Sequence, residues 1–170
     1  MNNVLVVDGY NIIGAWEELK TLKDIDMAQA RDRLIELMAD YQAYSGLKII
    51  IVYDAHYVKG KGSVLKSYDV EIIYTKENET ADECIERIVT KYKTVVNQVY
   101  VATSDYLEQR VIFGRGALRK SARELFIELQ ASKKSIQERI EYNEKSKPSA
   151  KIPLNDELRQ KFEQMRRRRN

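Results

Sequence analysis

The sequence predicts an α/β protein, built on a mostly parallel sheet with helices on both faces. Three observations predict this. Short apolar runs at Val4–Val7, Lys48–Tyr53 and Val99–Thr103 have the near-continuous hydrophobicity of strands covered on both sides. Stretches of helical period lie between runs of this kind, and strands that alternate with helices imply parallel pairing. Each of the three runs leads into an aspartate: Asp8, Asp54 and Asp105.

The elements follow in order. Val4–Val7 is the first strand, and Gly9 lets the chain turn sharply after Asp8. Asp26 caps a helix with Ala30, Leu34, Leu37, Met38 and Tyr41 on one face and Gly46 as its stop. Lys48–Tyr53 is the second strand. Val70–Thr75 is a third, shorter and more polar, and is expected near an edge. Thr80 and Glu83 form a capping box that opens a helix with Ile85, Ile88, Val89 and Tyr92 on one face. Val99–Thr103 is the fourth strand. A short helix is expected over Tyr106–Ile112. Ser121 and Glu124 make a second capping box, for a long polar helix to about Lys145. Pro148 and Pro153 bracket a linker, and Asn155 caps a final short helix through Met165. This gives one domain over residues 1–145, followed by a basic linker and short helix over 146–170.

Composition removes several classes of function. Hydrophobic residues are 44% of the 170, enough for a core and too many for wholesale disorder. The single cysteine, Cys84, excludes an internal disulfide and fits a reducing compartment. No apolar run approaches the roughly 18 residues of a membrane span. The N-terminus has none of the features of a signal peptide, so a cytoplasmic protein with no membrane partner is expected. The loop Lys59–Ser63 lacks P-loop spacing, so no nucleotide cofactor is expected. A histidine-based zinc site or a Ser-His-Asp triad would have to be built on His56 alone. Eleven tyrosines against three phenylalanines supply amphipathic rings that suit a core edge or stacking on bases. The net charge of +3 hides a division. Residues 1–109 carry 12 Lys/Arg and 18 Asp/Glu, whereas residues 110–170 carry 17 and 8. An acidic half suits cations and a basic half suits polyanions.

In open α/β sheets ligands bind outside the carboxyl ends of the strands. Asp8, Asp54 and Asp105 all fall there, so residues distant in sequence converge on one sheet edge. Carboxylates brought together either take up protons or bind cations. A hard divalent ion, Mg2+ or Mn2+, fits oxygen ligands, and such an ion activates water and stabilises a phosphorane-like transition state. The segment Glu77–Glu83 adds Glu79, Asp82 and Glu83, whose plainer role is helix capping and dipole compensation. Asn11 orients water or phosphate, or caps the next helix. Ser104 and Thr103 add hydroxyls beside Asp105, whose alternative role is a helix cap. Asp54 is alternatively an ion-pair partner of His56 or Lys59. Arg115, Arg119, Lys120 and Arg123 surround a glycine-flanked turn soon after Asp105, a basic ridge that suits phosphate contacts; the alternative is a solvated helix start.

Four motifs in this order (DGYN at Asp8–Asn11, VYDAH at Val52–His56, ETADE at Glu79–Glu83, and VATSD followed by FGRGALRKSARE) resemble the YacP group of NYN-domain proteins, within the PIN-like nuclease superfamily. The resemblance covers essentially the whole chain. It implies a PIN-like three-layer α/β/α sandwich with a C-terminal helical extension. It also implies metal-dependent hydrolysis of RNA phosphodiesters, on mRNA at the ribosome, with ribosomal RNA and ribosomal proteins as partners. Carried over by motif, Asp8, Asp82 and Asp105 are the metal ligands, Asn11 and Ser104 are supporting groups, and Asp54, Glu79 and Glu83 compete as a fourth acid. The competing expectation is a non-catalytic ribosome- or RNA-binding adaptor. A phosphohydrolase or receiver-type site ranks third. Tyr10 stands where the former wants a second aspartate, and Ser104 and Asp105 stand where the latter wants a lysine.

Overall fold

The computed structural model describes residues 3–55, 64–94, 97–105, 114–146 and 156–167. In chain order the elements are β1 (Val4–Asp8), α1 (Gly9–Ala15), α2 (Glu17–Ile25), α3 (Met27–Ser45), β2 (Lys48–Tyr53), β3 (Val64–Ser67), β4 (Val70–Tyr74), α4 (Ala81–Tyr92), β5 (Val99–Ala102), β6 (Leu118–Lys120), α5 (Ala122–Ser146) and α6 (Asp156–Arg167). The strands form one sheet in the order β3-β4-β2-β1-β5-β6. All neighbours pair parallel except β3, which runs antiparallel to β4.

The alternating side chains of β1 divide the core. Leu5 and Val7 join Ile12, Ile13, Trp16, Leu19, Leu34, Met38, Leu125 and Leu129, from α1, α2, α3 and α5, on one face. Val4 and Val6 join Ile50, Val52, Ile85, Ile88 and Val89 on the other, where α4 packs. The result is a three-layer α/β/α sandwich. The two faces follow from connection handedness. The chain leaves β1 toward β2 through α1–α3, then returns from β4 across β2 and β1 to β5 through α4. Right-handed crossovers in opposite directions place their helices on opposite faces. The reversal falls between β1 and β5, and that is where such sheets bind ligands.

Local signals explain most boundaries. Asp26 caps α3 by accepting from the Ala28 amide at 2.9 Å, and Gly46 ends it at φ 70°. Thr80 and Glu83 make both bonds of the capping box on α4. Ser121 and Glu124 do the same for α5, with amide bonds of 3.1 and 2.6 Å. Several elements differ from expectation. Residues 9–25 form two helices, with the buried Trp16 at the joint. Residues 118–120, expected in a turn, form a strand beside β5. The polar β4 lies one strand in from the edge, covered by the hairpin partner β3. The expected helix over 106–112, the loop 59–63 and the linker with its prolines lie outside the described residues. The chain divides into two compact units, Met1–Ser135 and Ile136–Asn170, at a point inside α5. Among the described residues no helix is long and apolar enough to cross a membrane.

Gly9 serves a different purpose from the sharp turn expected. It is the first residue of α1, and a Cβ there would lie 2.3 Å from Cε1 of the buried Tyr53 ring. The close approach of ring and backbone therefore depends on the missing methyl. Gly14, in the same helix, has open space around the equivalent position. Gly9→Ala should cost about 1–3 kcal/mol through overpacking. Gly14→Ala should gain up to about 1 kcal/mol through helix propensity. Urea denaturation of the two variants measures both, and equal effects would show that the Tyr53 contact does not constrain the turn.

Candidate functional site

The site is assembled on the carboxyl ends of β1 and β5. In register Val7 faces Ala102, so Asp8 and Thr103 end up side by side. Thr103 is fully buried, and its hydroxyl donates to Asp8 Oδ2 at 3.4 Å. The same oxygen of Thr103 accepts the Asp105 amide at 3.1 Å, so one hydroxyl positions both acidic loops. Asp8 is also the N-cap of α1, its Oδ1 accepting from the Asn11 amide at 3.5 Å. Asn11 is thus not the cap. Its side-chain Oδ1 instead accepts the Ser104 amide at 2.9 Å, tying α1 to the β5 loop. Ser104 Oγ in turn accepts from the Ala122 amide at 3.3 Å, and the Ala122 carbonyl takes the buried Trp16 indole N–H at 2.8 Å.

The acids expected to compete for a fourth position separate by their partners. Glu79 Oε1 receives both Nε and Nη2 of Arg87, at 3.0 and 2.8 Å. Glu83 completes the α4 capping box through the Thr80 amide. Both have structural work at the start of α4. Asp82, in the first turn of α4, has a raised pKa. Desolvation by surrounding protein is the largest cause, followed by the charges of Asp105, Asp54 and Glu83. Asp82, Asp105 and Asp54, from three separate segments, therefore share one electrostatic environment. Sequence alone pointed to Asp54 least firmly; its charge acts on Asp82, as does that of Glu83.

Among the described residues the donors at this edge are oxygens, which suits Mg2+ or Mn2+ rather than a metal preferring nitrogen or sulfur. Among the described residues no three acidic, histidine or cysteine side chains are close enough together to chelate an ion by themselves. That is compatible with Mg2+, which usually keeps several waters and takes one or two carboxylates. Cys84 is buried, and burial followed by Glu79 pushes its thiol up to about 11, so it stays a packed thiol.

The basic residues are less uniform than their spacing suggests. Arg119 and Arg123 are exposed. Arg115 Nη2 pairs with Glu86 at 2.9 Å. Lys120 turns inward, with Nζ 2.5 Å from Glu128 Oε2 and 5.3 Å from the Tyr100 ring centroid. Glu128 also accepts the Tyr41 hydroxyl at 2.5 Å, so Lys120 belongs to a packed network joining β6 to α3 and α5. Sequence reasoning noticed the Thr103 hydroxyl but not its pivotal place. The register between non-consecutive strands was the missing information.

An α/β/α sandwich with acids gathered at the switch point of its sheet has the layout of a nuclease-like domain. The chain belongs to the YacP-like NYN domain family, whose model matches residues 5–167. That family is of RNase type. The chain is 50% identical over 165 residues to the uncharacterized protein YacP of Bacillus subtilis (strain 168), covering 97% of each. It also matches the crystal structure of Rae1 (YacP) from Bacillus subtilis, with TM-score 0.75 and 49% identity over 97% of this chain and 95% of that one. A crystal structure of a point mutant of Rae1 matches with TM-score 0.76 and 47% identity, over 92% and 90% of the two chains.

The raised Asp82 pKa carries a sign. Between the ordinary carboxylate value and the raised one, the folded state holds more protons, so stability falls as pH rises through that window. In chelator, Asp82→Asn should therefore be more stable than wild type at neutral pH. The difference should vanish by about pH 3, below both values. Thermal melts across this range measure it, and a variant less stable than wild type at neutral pH would contradict like-charge crowding at Asp82.

Proposed function

We propose that the protein is a metal-dependent endoribonuclease that hydrolyses phosphodiester bonds of mRNA in association with the translating ribosome, in the cytoplasm. The observation that carries the reading is that Asp105 and Asp54 act electrostatically on Asp82, while Thr103 holds Asp8 and the Asp105 backbone together at the switch-point edge. Membership of an RNase-type family gives that cluster its chemistry.

Asp8, Asp82 and Asp105 would hold Mg2+ or Mn2+, with Asp54 as the nearby fourth acid. A bound ion of this kind supplies a Lewis acid for the scissile phosphate and lowers the pKa of a water. The protein's own residues then have distinct tasks. Thr103 fixes the Asp8 carboxylate and the Asp105 backbone in one arrangement. Asn11 and Ser104 tie the two loops together. Exposed Arg119 and Arg123 offer charge to phosphates outside the cluster, where each contact adds affinity without reading sequence. The surplus of 17 Lys/Arg over 8 Asp/Glu in residues 110–170 supports contact with ribosomal RNA.

Cleavage of a translated mRNA, with ribosomes present, tests the reading. Wild type with Mg2+ should make discrete cuts, and chelator should abolish them. Asp8→Asn and Asp82→Asn should each reduce cutting more than about 100-fold, beyond what loss of a supporting group costs a metal site. Retained cleavage by both variants, with the fold intact by circular dichroism, would remove the acidic cluster from the chemistry. Ribosome binding with no metal-dependent cut in wild type would make the protein an adaptor.

A further inference from the structure

Three tyrosines stand in a row at the carboxyl ends of neighbouring parallel strands, on the side of β1 away from β5. Tyr10 follows Asp8 by two residues, Tyr53 ends β2 and Tyr74 ends β4. Tyr53 and Tyr74 are register partners, with rings stacked at 5.6 Å between centroids. Tyr10 tilts against Tyr53 at 5.1 Å. Tyr53 is fully buried and forms the middle of the row, while Tyr10 and Tyr74 are half-buried and keep part of their surface toward solvent.

Arg31, on α3, reaches this row. Its Nη1 donates to the Tyr10 hydroxyl at 3.1 Å, and the Tyr53 hydroxyl donates to its backbone carbonyl at 3.4 Å. The residue is half-buried, and among the described residues no carboxylate lies within ion-pair distance of its guanidinium. Arg33, Arg87 and Arg115, by contrast, each hold a glutamate. A partly desolvated cation is costly unless an anion accompanies it. Tyr10 lies in the first turn of α1, two residues after its cap Asp8, which ties the row to the acidic edge.

Partly exposed aromatic rings, a cation with no carboxylate partner among the described residues, and acids at the adjoining strand end match the parts of one nucleotide. An unpaired base offers its faces to an aromatic ring, whereas a base inside a duplex does not. We propose that Tyr10, Tyr74 and Arg31 form a nucleotide subsite in which an unpaired RNA base stacks on the tyrosine row and an adjoining phosphate meets Arg31. The subsite rests on the nuclease reading above and selects single-stranded RNA for the acidic cluster. Tyr53 is its buried support.

The test measures binding of the full chain to a labelled single-stranded oligoribonucleotide in chelator, where no metal-dependent cleavage occurs. The same strand annealed to its complement, and the same strand with abasic positions, are measured in parallel. Wild type should bind the intact single strand best. Tyr74→Leu and Arg31→Gln should each weaken that binding about tenfold. Tyr10→Phe should keep the penalty for abasic positions, and Tyr10→Leu should lose it. On translated mRNA with Mg2+, KM should rise in the leucine variants by more than kcat falls. Indifference of wild type to pairing and abasic positions would overturn the subsite. So would Tyr74→Leu and Arg31→Gln variants that melt and bind as wild type does. Tyr74, at a strand end, keeps the test decisive if Tyr10→Leu fails to fold. Loss of the subsite with metal-dependent cleavage intact would leave the nuclease reading standing. A wild type that neither binds nor cuts RNA would remove both.

Discussion

The site depends on the tie between the ends of β1 and β5. These strands are neighbours in space but are separated in sequence by two crossovers and the whole β2–β4 side of the sheet. Nothing in chain connectivity holds their following loops together. The Thr103 hydroxyl and the Asn11 amide group do so, one linking Asp8 to the Asp105 backbone and the other holding the Ser104 amide. Each bond is worth only about 1 kcal/mol net. Their value lies in placement, because Thr103 is buried and cannot exchange its partners for water. Ala122 extends the tie by taking Trp16 on its carbonyl and giving its amide to Ser104. The start of α5, the joint of α1 and α2, and the acidic edge are thereby mechanically connected.

The acids divide their labour according to what each is bonded to. Glu83 and Glu79 stabilise the entry of α4, one through the capping box and one through Arg87. Their fixed positions hold the first turn of the helix, and Asp82 is carried on that turn. Asp8 combines two roles, as cap of α1 and as partner of Thr103. A residue that caps a helix at the end of a central parallel strand has little freedom to move. That rigidity suits a ligand-binding carboxylate, since a preorganised group need not be ordered when substrate arrives.

Much of this was legible from the sequence, and the part that was not has common causes. The buried runs of β1, β2 and β5 and both capping boxes are local signals, and so are the aspartates at strand ends. β6 escaped because one leucine followed by two basic residues makes neither an apolar run nor an alternation, and their strand state comes from pairing with Tyr100–Ala102. The helices over 9–25 escaped because the helical period breaks at Trp16, an extended residue that ends α1 and begins α2. Gly9 stood out for the turn it allows, yet its purpose comes from the Tyr53 ring, a residue of the next strand. Thr103 and Arg31 needed the register of non-consecutive strands and the packing of α3, which no local pattern encodes. The tyrosine count hinted at stacking without saying which rings would meet.

Crowding of acids at the edge of an otherwise well-matched fold works against stability. Asp82 is held where neighbouring carboxylates and desolvation disfavour its charge. Elsewhere in the same molecule such conflicts are resolved by pairing: Lys48 meets Glu71, Arg87 meets Glu79 and Lys120 meets Glu128. At the switch-point edge Asp105 and Asp54 act on Asp82 with like charge, and the Arg31 guanidinium meets the Tyr10 hydroxyl. A divalent cation would relieve the first and a phosphate the second. Local departures from self-consistency of this kind mark the places where a structure is completed by what it binds. A phosphodiester strand accompanied by its metal ion brings both charges at once.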